Sequence, residues 1–301
     1  MSIHPQNPNQ HHFYRFSAAA FWCTIRSMKR SLSGRLATLQ LLIILAAPPL
    51  SAAELQQPAV RTADYQKLRN SLLNRFSAVT PQEWGEAVTG VKTRIAGREK
   101  LLALTFDACG SAKGMQIDRA LIEYLEKEQI AATLFINGRW IEPNRQEFGR
   151  LAANPLFEIA NHGFSHKPAS VSGRSVYGIS GTKDAGELVD EIELNARRLE
   201  ELTGRRPRFY RSGTAYYDEI AVRIANALDQ QVAGFSLLGD AGATYSSEKV
   251  KAALLAAKPG DIAIMHFNHP ESGTAAGVMA AIPELKKRGY RFVRLSDLEL
   301  E

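Results

Sequence analysis

Four histidines lie beyond residue 53, and they fall into two short clusters. His162 and His166 are four residues apart, and His266 and His269 are three residues apart. Imidazole is the commonest metal ligand in proteins and the side chain that best exchanges protons near neutral pH. The two clusters therefore predict a metal site, a proton-transfer site, or both.

The first cluster has a spacing that suits a metal ion. Zinc binds imidazole nitrogen at about 2.0–2.1 Å, and a compact turn can bring His162 and His166 to one ion. A catalytic zinc site needs a third protein ligand, and the carboxylate of Asp107, held at the end of an apolar run, can supply it. The simpler alternatives are that the histidines cap a loop and that Asp107 caps the turn that follows it.

The second cluster favours proton transfer. His266 ends an apolar run and is either a hydrogen-bonded core histidine or an acid, and its position opposite the other motifs favours the acid. His269 is open to three interpretations: a partner of another site residue, a metal ligand, or a loop residue.

The elements that must position these residues alternate between strand and helix. Short apolar runs predict buried strands, and apolar residues at helical spacing predict helices. Such alternation is typical of a parallel α/β fold, and both a barrel and a doubly wound sheet fit it. The strands are predicted at 101–106, 132–136, 157–160, 209–211, 232–237, 261–265 and 290–295, and the helices at 117–125, 184–202, 219–228, 247–257 and 275–288.

The candidate site residues follow the strands. Asp107, the two histidines of the first cluster, Arg211 and His266 each come at or just after the end of a predicted strand. The carboxyl ends of parallel strands converge on one face, where α/β folds build their active sites. The sequence therefore predicts one pocket made from distant segments, with the irregular segment 167–182 facing the substrate.

The first 53 residues are typical of a secretory leader. They contain five basic residues and no acidic one, an apolar run at 36–47, and small residues at 51–53. This layout predicts a signal peptide cleaved after Ala53. A membrane anchor is the alternative, but about 12 apolar residues are too few to span a bilayer. Met28 directly precedes two basic residues, which favours it as the true start.

Without the leader, the charge is nearly balanced. Subtracting its five basic residues from the 37 lysines and arginines leaves 32 against 31 acidic residues. The basic pI therefore gives no argument for nucleic-acid binding. Residues 54–90 are predicted to be a polar, partly helical lead-in, with a helix at 64–76, and residues 91–301 to be one catalytic domain. Cys109 is the only cysteine after the leader, so the exported protein has no internal disulfide.

The motifs together resemble the polysaccharide deacetylases that have a NodB-homology domain. Thr-Phe-Asp at 105–107, Asn-His-Gly-Phe-Ser-His at 161–166, Arg211 and Ile-Ala-Ile-Met-His at 262–266 occur in the family's order. The resemblance covers residues 101–298. It implies a distorted (β/α) barrel, one divalent metal, commonly zinc, and removal of acetyl groups from an acetylated polysaccharide.

The resemblance also implies roles for individual residues. Asp107 is expected to be the general base, His162 and His166 metal ligands, and His266 the acid that protonates the leaving amine. Arg211 is expected to orient the base. Backbone N–H groups at 211–214 are candidates for an oxyanion hole.

The chain departs from the family pattern at three places. Ala108 stands where many members have a second Asp as a metal ligand, and His269, Cys109, water or Asp107 itself could replace that ligand. The prolines that usually follow Arg211 are missing. The Asp-x-x-Asp-Trp segment is replaced at 236–240, where Asp240 is the candidate for orienting the acid.

These observations favour an exported, zinc-dependent deacetylase of a glycan such as peptidoglycan. The alternatives are a catalytically silent glycan-binding barrel that has lost its metal, and a hydrolase of small amides. Four aromatic residues are candidates for stacking on sugar rings: Trp140, Tyr177, Tyr216 and Tyr217. No membrane span is expected after leader cleavage.

Overall fold

The computed structural model describes residues 62–111 and 114–301, so the predicted leader lies outside the described residues. The described residues form eight strands and eight α-helices, which alternate along most of the chain. The strands are β1 (Leu101–Ala108), β2 (Ala132–Ile136), β3 (Phe157–Asn161), β4 (Phe209–Tyr210), β5 (Gln231–Val232), β6 (Leu237–Leu238), β7 (Asp261–His266) and β8 (Arg291–Val293). The helices are α1 (Ala63–Phe76), α2 (Arg119–Lys127), α3 (Gly138–Ile141), α4 (Arg145–Ala153), α5 (Ala185–Thr203), α6 (Glu219–Ala227), α7 (Ser247–Leu255) and α8 (Thr274–Lys287), with 3₁₀ turns at Glu142–Asn144 and Leu295–Asp297.

The strands form one curled sheet in which every described pairing of named strands is parallel. Their order is β5-β4-β3-β2-β1-β7-β6, and β8 pairs with the first residues of β1. Helices cover the outside, as expected for strands joined by helical crossovers. The predicted distorted (β/α) barrel in a single domain is confirmed. Of the barrel and the doubly wound sheet that the pattern allowed, the curled sheet corresponds to the barrel.

The central strand is β1, and its composition explains its position. All eight residues of β1 are buried, because it packs against apolar side chains on both faces of the sheet. Its only hydroxyl side chain, Thr105, is satisfied by donating to the carbonyl of Ala263 on β7. Register places Asp107 beside His266, so the two strands end together.

The prediction of one strand at 232–237 is wrong. The chain instead makes two short strands at opposite edges of the sheet, β5 beside β4 and β6 beside β7. Between them, the carbonyls of Ala233 and Gly234 accept hydrogen bonds from the guanidinium of Arg211. The backbone at 233–234 therefore serves Arg211 between the two short strands.

The helix predicted in the lead-in is confirmed as α1. Thr62 caps its N-terminus, and Tyr65, Leu72 and Phe76 bury one face. An ion pair between Arg69 and Asp190 of α5 joins the two helices at 2.8 Å. In the described part of the chain, no helix has the length and apolar character needed to cross a membrane.

Candidate active site

Asp107 lies at the end of β1 and is 2 % exposed. Its Oδ1 accepts a hydrogen bond from Nη1 of Arg211 at 2.9 Å, and its Oδ2 lies 3.8 Å from Nε2 of His162. A buried carboxylate needs such a partner, because its charge has left water. One oxygen is thus held by Arg211 while the other faces the histidine.

Arg211 is itself fully buried and is held at several points. Besides Asp107, it donates to Oγ1 of Thr105 at 2.8 Å and to the two backbone carbonyls at 233 and 234. Its guanidinium carbon lies 4.1 Å from the centre of the Phe135 ring. The planar, multiply donating guanidinium suits this position in a way that a lysine does not.

His162 has an orientation that leaves one nitrogen free for a ligand. Its Nδ1 lies 3.0 Å from the carbonyl oxygen of Arg211, which can only accept, so Nδ1 carries the proton. Its Nε2 lies 3.7 Å from Sγ of Cys109. Burial lowers the pKa of His162, but the Asp107 carboxylate and Cys109 outweigh burial and raise the pKa above its ordinary value.

His166 completes a small group of potential ligands. Its backbone adopts φ of 61°, the left-handed region that residues other than glycine seldom occupy, and its buried Nε2 has no hydrogen-bond partner among the described residues. Gly213 packs directly on its backbone, where an added Cβ would lie 2.4 Å from the His166 carbonyl carbon. Strained backbone of this kind is often found at functional sites.

The group that could hold a metal differs from the predicted ligand set. Among the described residues, Cys109, His162 and His166 place their ligand atoms within 4.8 Å of one another. Neither Asp107 nor His269 is part of that group. Burial raises the pKa of the Cys109 thiol, but His166, His266 and His162 outweigh burial and hold the pKa well below its ordinary value.

His269 lies outside that group and has a carboxylate partner of its own. Its Nδ1 is 3.0 Å from a carboxylate oxygen of Glu271, which lies in the same loop. It still lines the cavity that opens above the group. Because His269 lines the cavity but is not in the Cys109, His162 and His166 group, its three interpretations stay open.

His266 and Asp240 lie together as the sequence predicted. Nδ1 of His266 is 3.0 Å from Oδ1 of Asp240, and Oδ2 accepts the backbone N–H of His266 at 2.7 Å. Thr274, which the sequence analysis did not single out, donates its hydroxyl to the same Oδ2. Burial lowers the pKa of His266, but Asp240 and Cys109 raise it well above its ordinary value.

A cavity of about 590 Å³ opens over these residues. Its lining includes Cys109, His166, His266 and His269 from the strand ends, and Ile179 and Ser180 from the irregular segment 167–182. That segment therefore faces the cavity, as predicted. The oxyanion-hole prediction is weakened, because the N–H groups at 211, 212 and 213 already have acceptors within the protein.

The four aromatic residues that are candidates for stacking on sugar rings differ in burial. Trp140 and Tyr217 are fully buried and cannot stack on a sugar. Tyr177 is 69 % exposed, and its ring lies 5.6 Å from that of Tyr216. The Tyr216 ring also lies 5.8 Å from Trp84 of the lead-in, which the sequence analysis missed.

Glu191 is a second residue that the sequence analysis missed. It lies on the buried face of α5, and its carboxylate accepts the backbone N–H groups of Ser165 at 2.8 Å and Lys167 at 3.1 Å. These two residues flank His166. The available signal was a glutamate at helical spacing between Leu188, Ile192 and Asn195, because a charged residue on an apolar helix face must have partners.

The fold and these strand-end residues together define a site of the kind that α/β-barrel hydrolases have. The sequence model of the family described as polysaccharide deacetylase matches residues 94–233. That segment begins at Arg94, before β1, and ends at residue 233, just after β5. It includes Asp107, both histidines of the first cluster and Arg211. Residues 94–233 therefore match a polysaccharide deacetylase family domain.

Two curated relatives are about a quarter identical to this chain over the aligned residues. A bifunctional xylanase/deacetylase of Pseudobutyrivibrio xylanivorans is 26 % identical over 66 % of this chain, and the match spans only 30 % of that longer protein. The peptidoglycan-N-acetylmuramic acid deacetylase PdaA of Bacillus subtilis is 24 % identical over 68 % of this chain and 73 % of its own length.

Solved structures show the same fold. A CE4 family pseudoenzyme from Bacillus anthracis is 22 % identical, with a TM-score of 0.56 over 68 % of this chain and 67 % of its own. A family 4 acetyl xylan esterase from Clostridium thermocellum, solved with a cobalt ion, is 24 % identical, with a TM-score of 0.54 over 66 % of this chain and 89 % of its own. At these identities, the likeness establishes the fold alone.

Proposed function

We propose that this protein is an exported, metal-dependent deacetylase that removes acetyl groups, N-acetyl above all, from a polysaccharide such as peptidoglycan or another N-acetylhexosamine polymer. The observation that carries the proposal is a cavity lined by Cys109, His166 and His266, with His162 grouped with Cys109 and His166 and with Asp107 in contact with His162. The deacetylase names of the curated relatives support the same reaction.

The residues present fit a divalent metal. His162 directs Nε2 towards Cys109 and Asp107, and the buried Nε2 of His166 has no partner among the described residues. Buried polar atoms normally find partners, and an ion supplies one to both rings. When bound there, a divalent ion such as Zn²⁺ polarises the acetyl carbonyl and lowers the pKa of water towards neutrality.

The chain's own residues then carry the protons. Water adds to the acetyl carbonyl, and Asp107 accepts the water proton on Oδ2, the oxygen that Arg211 does not hold. His266, kept protonated by Asp240, donates its proton to the nitrogen as the carbon–nitrogen bond breaks. The products are acetate and a free amine, and each proton transfer contributes about 10²–10⁴ in rate.

The surface beside the cavity is suited to binding a glycan chain. Tyr177, Tyr216 and Trp84 form an aromatic group in which Tyr177 is largely exposed. Tyr177 lies two residues from Ile179, which lines the cavity. A row of aromatic rings presents flat apolar faces, with polar tips, to a polar ligand, so neighbouring sugar units can lie across it.

The proposed function is tested by acetate release. Purified protein is incubated with peptidoglycan and with N-acetylhexosamine polymers, with added Zn²⁺ and after removal of metal by a chelator. We expect acetate release that disappears with chelation and returns with the metal. If no acetylated glycan releases acetate with any divalent metal, while glycan binding persists, the silent binding barrel is the better description.

Glu191 provides a separate prediction about positioning. Replacing Glu191 by Gln leaves only one acceptor oxygen for the two N–H groups that flank His166, so the ligand should lose its fixed orientation. Loss of an outer partner of a metal ligand typically lowers metal affinity by about 10–100-fold. We expect that reduction for Glu191→Gln, measured by competition with a coloured chelator.

The matched control is Glu193→Gln on the same helix. Glu193 is equally buried, but its carboxylate pairs with Arg197 and Arg206, away from the histidines. It should lower stability without lowering metal affinity. Equal metal affinities in the two variants would contradict a positioning role for Glu191.

A further inference from the structure

We infer that Cys109 is the third protein ligand of the metal and takes the place left open by Ala108, so that the site is a Cys–His–His site. This inference rests on the proposed function for the presence of a metal, and it specifies what holds the ion. It also replaces the ligand set of Asp107 and His269 that the sequence suggested.

The separations within the group match one ion. A tetrahedral zinc binds sulfur at about 2.3 Å and nitrogen at about 2.0–2.1 Å, so its ligand atoms lie about 3.3–3.6 Å apart. Sγ of Cys109 lies 3.7 Å from Nε2 of His162, and all three ligand atoms lie within 4.8 Å of one another. A small movement of the His166 side chain towards the other two ligand atoms shortens the remaining separations to this range.

The two histidines are prepared for a ligand independently of the cysteine. Nδ1 of His162 is fixed on the carbonyl of Arg211, which is the usual outer contact of a metal-binding histidine. His166 is held in a strained backbone conformation by Gly213 and by the Glu191 contacts on either side of it. Its buried Nε2, which has no hydrogen-bond partner among the described residues, is a second sign that a ligand belongs there.

The alternatives for the third ligand are less suited. Ala108 is fully buried and has no donor atom. Among the described residues, His269 is not in the group whose ligand atoms lie within 4.8 Å of one another. Asp107 has one oxygen on Arg211, and the other is the proton acceptor of the proposed reaction. Cys109 is therefore the remaining candidate, a buried residue whose sulfur lies near both histidines.

A thiolate ligand changes which metals the site prefers. Soft sulfur favours Zn²⁺ over harder ions such as Mn²⁺ and Mg²⁺, which prefer oxygen. Three protein ligands with the fourth position open to solvent or substrate is the usual arrangement of catalytic zinc. On binding, the thiol proton is released to the buffer, so metal uptake releases protons.

The test uses cobalt as a spectroscopic probe of the full chain. Cys23 is the only other cysteine, so a Cys23→Ser background leaves Cys109 as the only thiol. We expect Co²⁺ to produce an intense near-ultraviolet sulfur-to-cobalt absorption in this background at one ion per chain. Cys109→Ala and Cys109→Ser should abolish the band and lower Zn²⁺ affinity by more than about 100-fold, since even outer partners cost 10–100-fold.

Two further variants make the result specific. Ala108→Asp combined with Cys109→Ala restores a carboxylate beside the base and should recover Zn²⁺ binding without the sulfur band. His269→Ala should leave the band and the Zn²⁺ affinity unchanged. If Cys109→Ala binds one Zn²⁺ as tightly as the background does, the inference is overturned, whether or not acetate is released.

The two proposals fail in different ways. A sulfur–cobalt band with no acetate release from any glycan contradicts the deacetylase function and supports the ligand assignment. Metal-dependent acetate release that survives loss of Cys109, with no sulfur band in the background protein, supports the function and contradicts the ligand assignment.

Discussion

Replacement of Asp107 by Asn is expected to lower the rate of acetate release by about 10²–10⁴, the usual contribution of a general base. Asn keeps the shape of the side chain and can still accept the hydrogen bond from Arg211, but it cannot take a proton from water. The rate is measured with saturating metal, and metal content is measured on the same samples. Full metal occupancy with a low rate is the expected result.

The same variant separates the two roles that the sequence allowed for Asp107. If Asp107 were mainly a metal ligand, Asp107→Asn would lose metal, and excess Zn²⁺ would restore most of the rate. Asp229→Asn is the control, because Asp229 is an exposed carboxylate after α6, away from the site. A variant Asp107→Asn with an undiminished rate would show that another group accepts the proton.

Replacement of Arg211 by Met is expected to cost about 3–5 kcal/mol in the free energy of unfolding. The reason is that it leaves the buried Asp107 carboxylate without its counter-charge. It also leaves the carbonyls of Ala233 and Gly234 without their donor. Stability is measured by denaturant unfolding, and acetate release should fall in parallel because the base is no longer oriented.

A double-mutant cycle isolates the charge. Asp107→Asn combined with Arg211→Met should recover part of the lost stability, because no unpaired charge stays buried. Arg145→Met is the matched control, since both side chains of the Arg145–Glu142 ion pair are more than half exposed, at 61 % and 53 %. Exposed pairs contribute only about 0–1 kcal/mol, so equal losses for Arg145→Met and Arg211→Met would contradict this account of Arg211.

The sequence predicted the elements that carry strong local signals. The apolar run of β1 is hydrophobic throughout because the strand is buried on both faces, and α5 begins and ends at recognisable capping residues, Asp184 and Gly204. The short elements were harder. The strand predicted at 232–237 was wrong, and α3 and α4 were not predicted, because a few residues give too little periodicity to outweigh tertiary contacts.

The sequence by itself determined which residues meet, and the tertiary structure decided what they contact. Strand-end positions were enough to bring Asp107, the first histidine cluster and His266 to one face, because parallel strands end on the same side of a sheet. Pattern alone could not tell that Cys109 faces the histidines, that His269 pairs with Glu271, or that Glu191 fixes the backbone around His166. Those contacts depend on side-chain direction and on loop conformations such as the left-handed backbone of His166, which distant residues such as Gly213 stabilise.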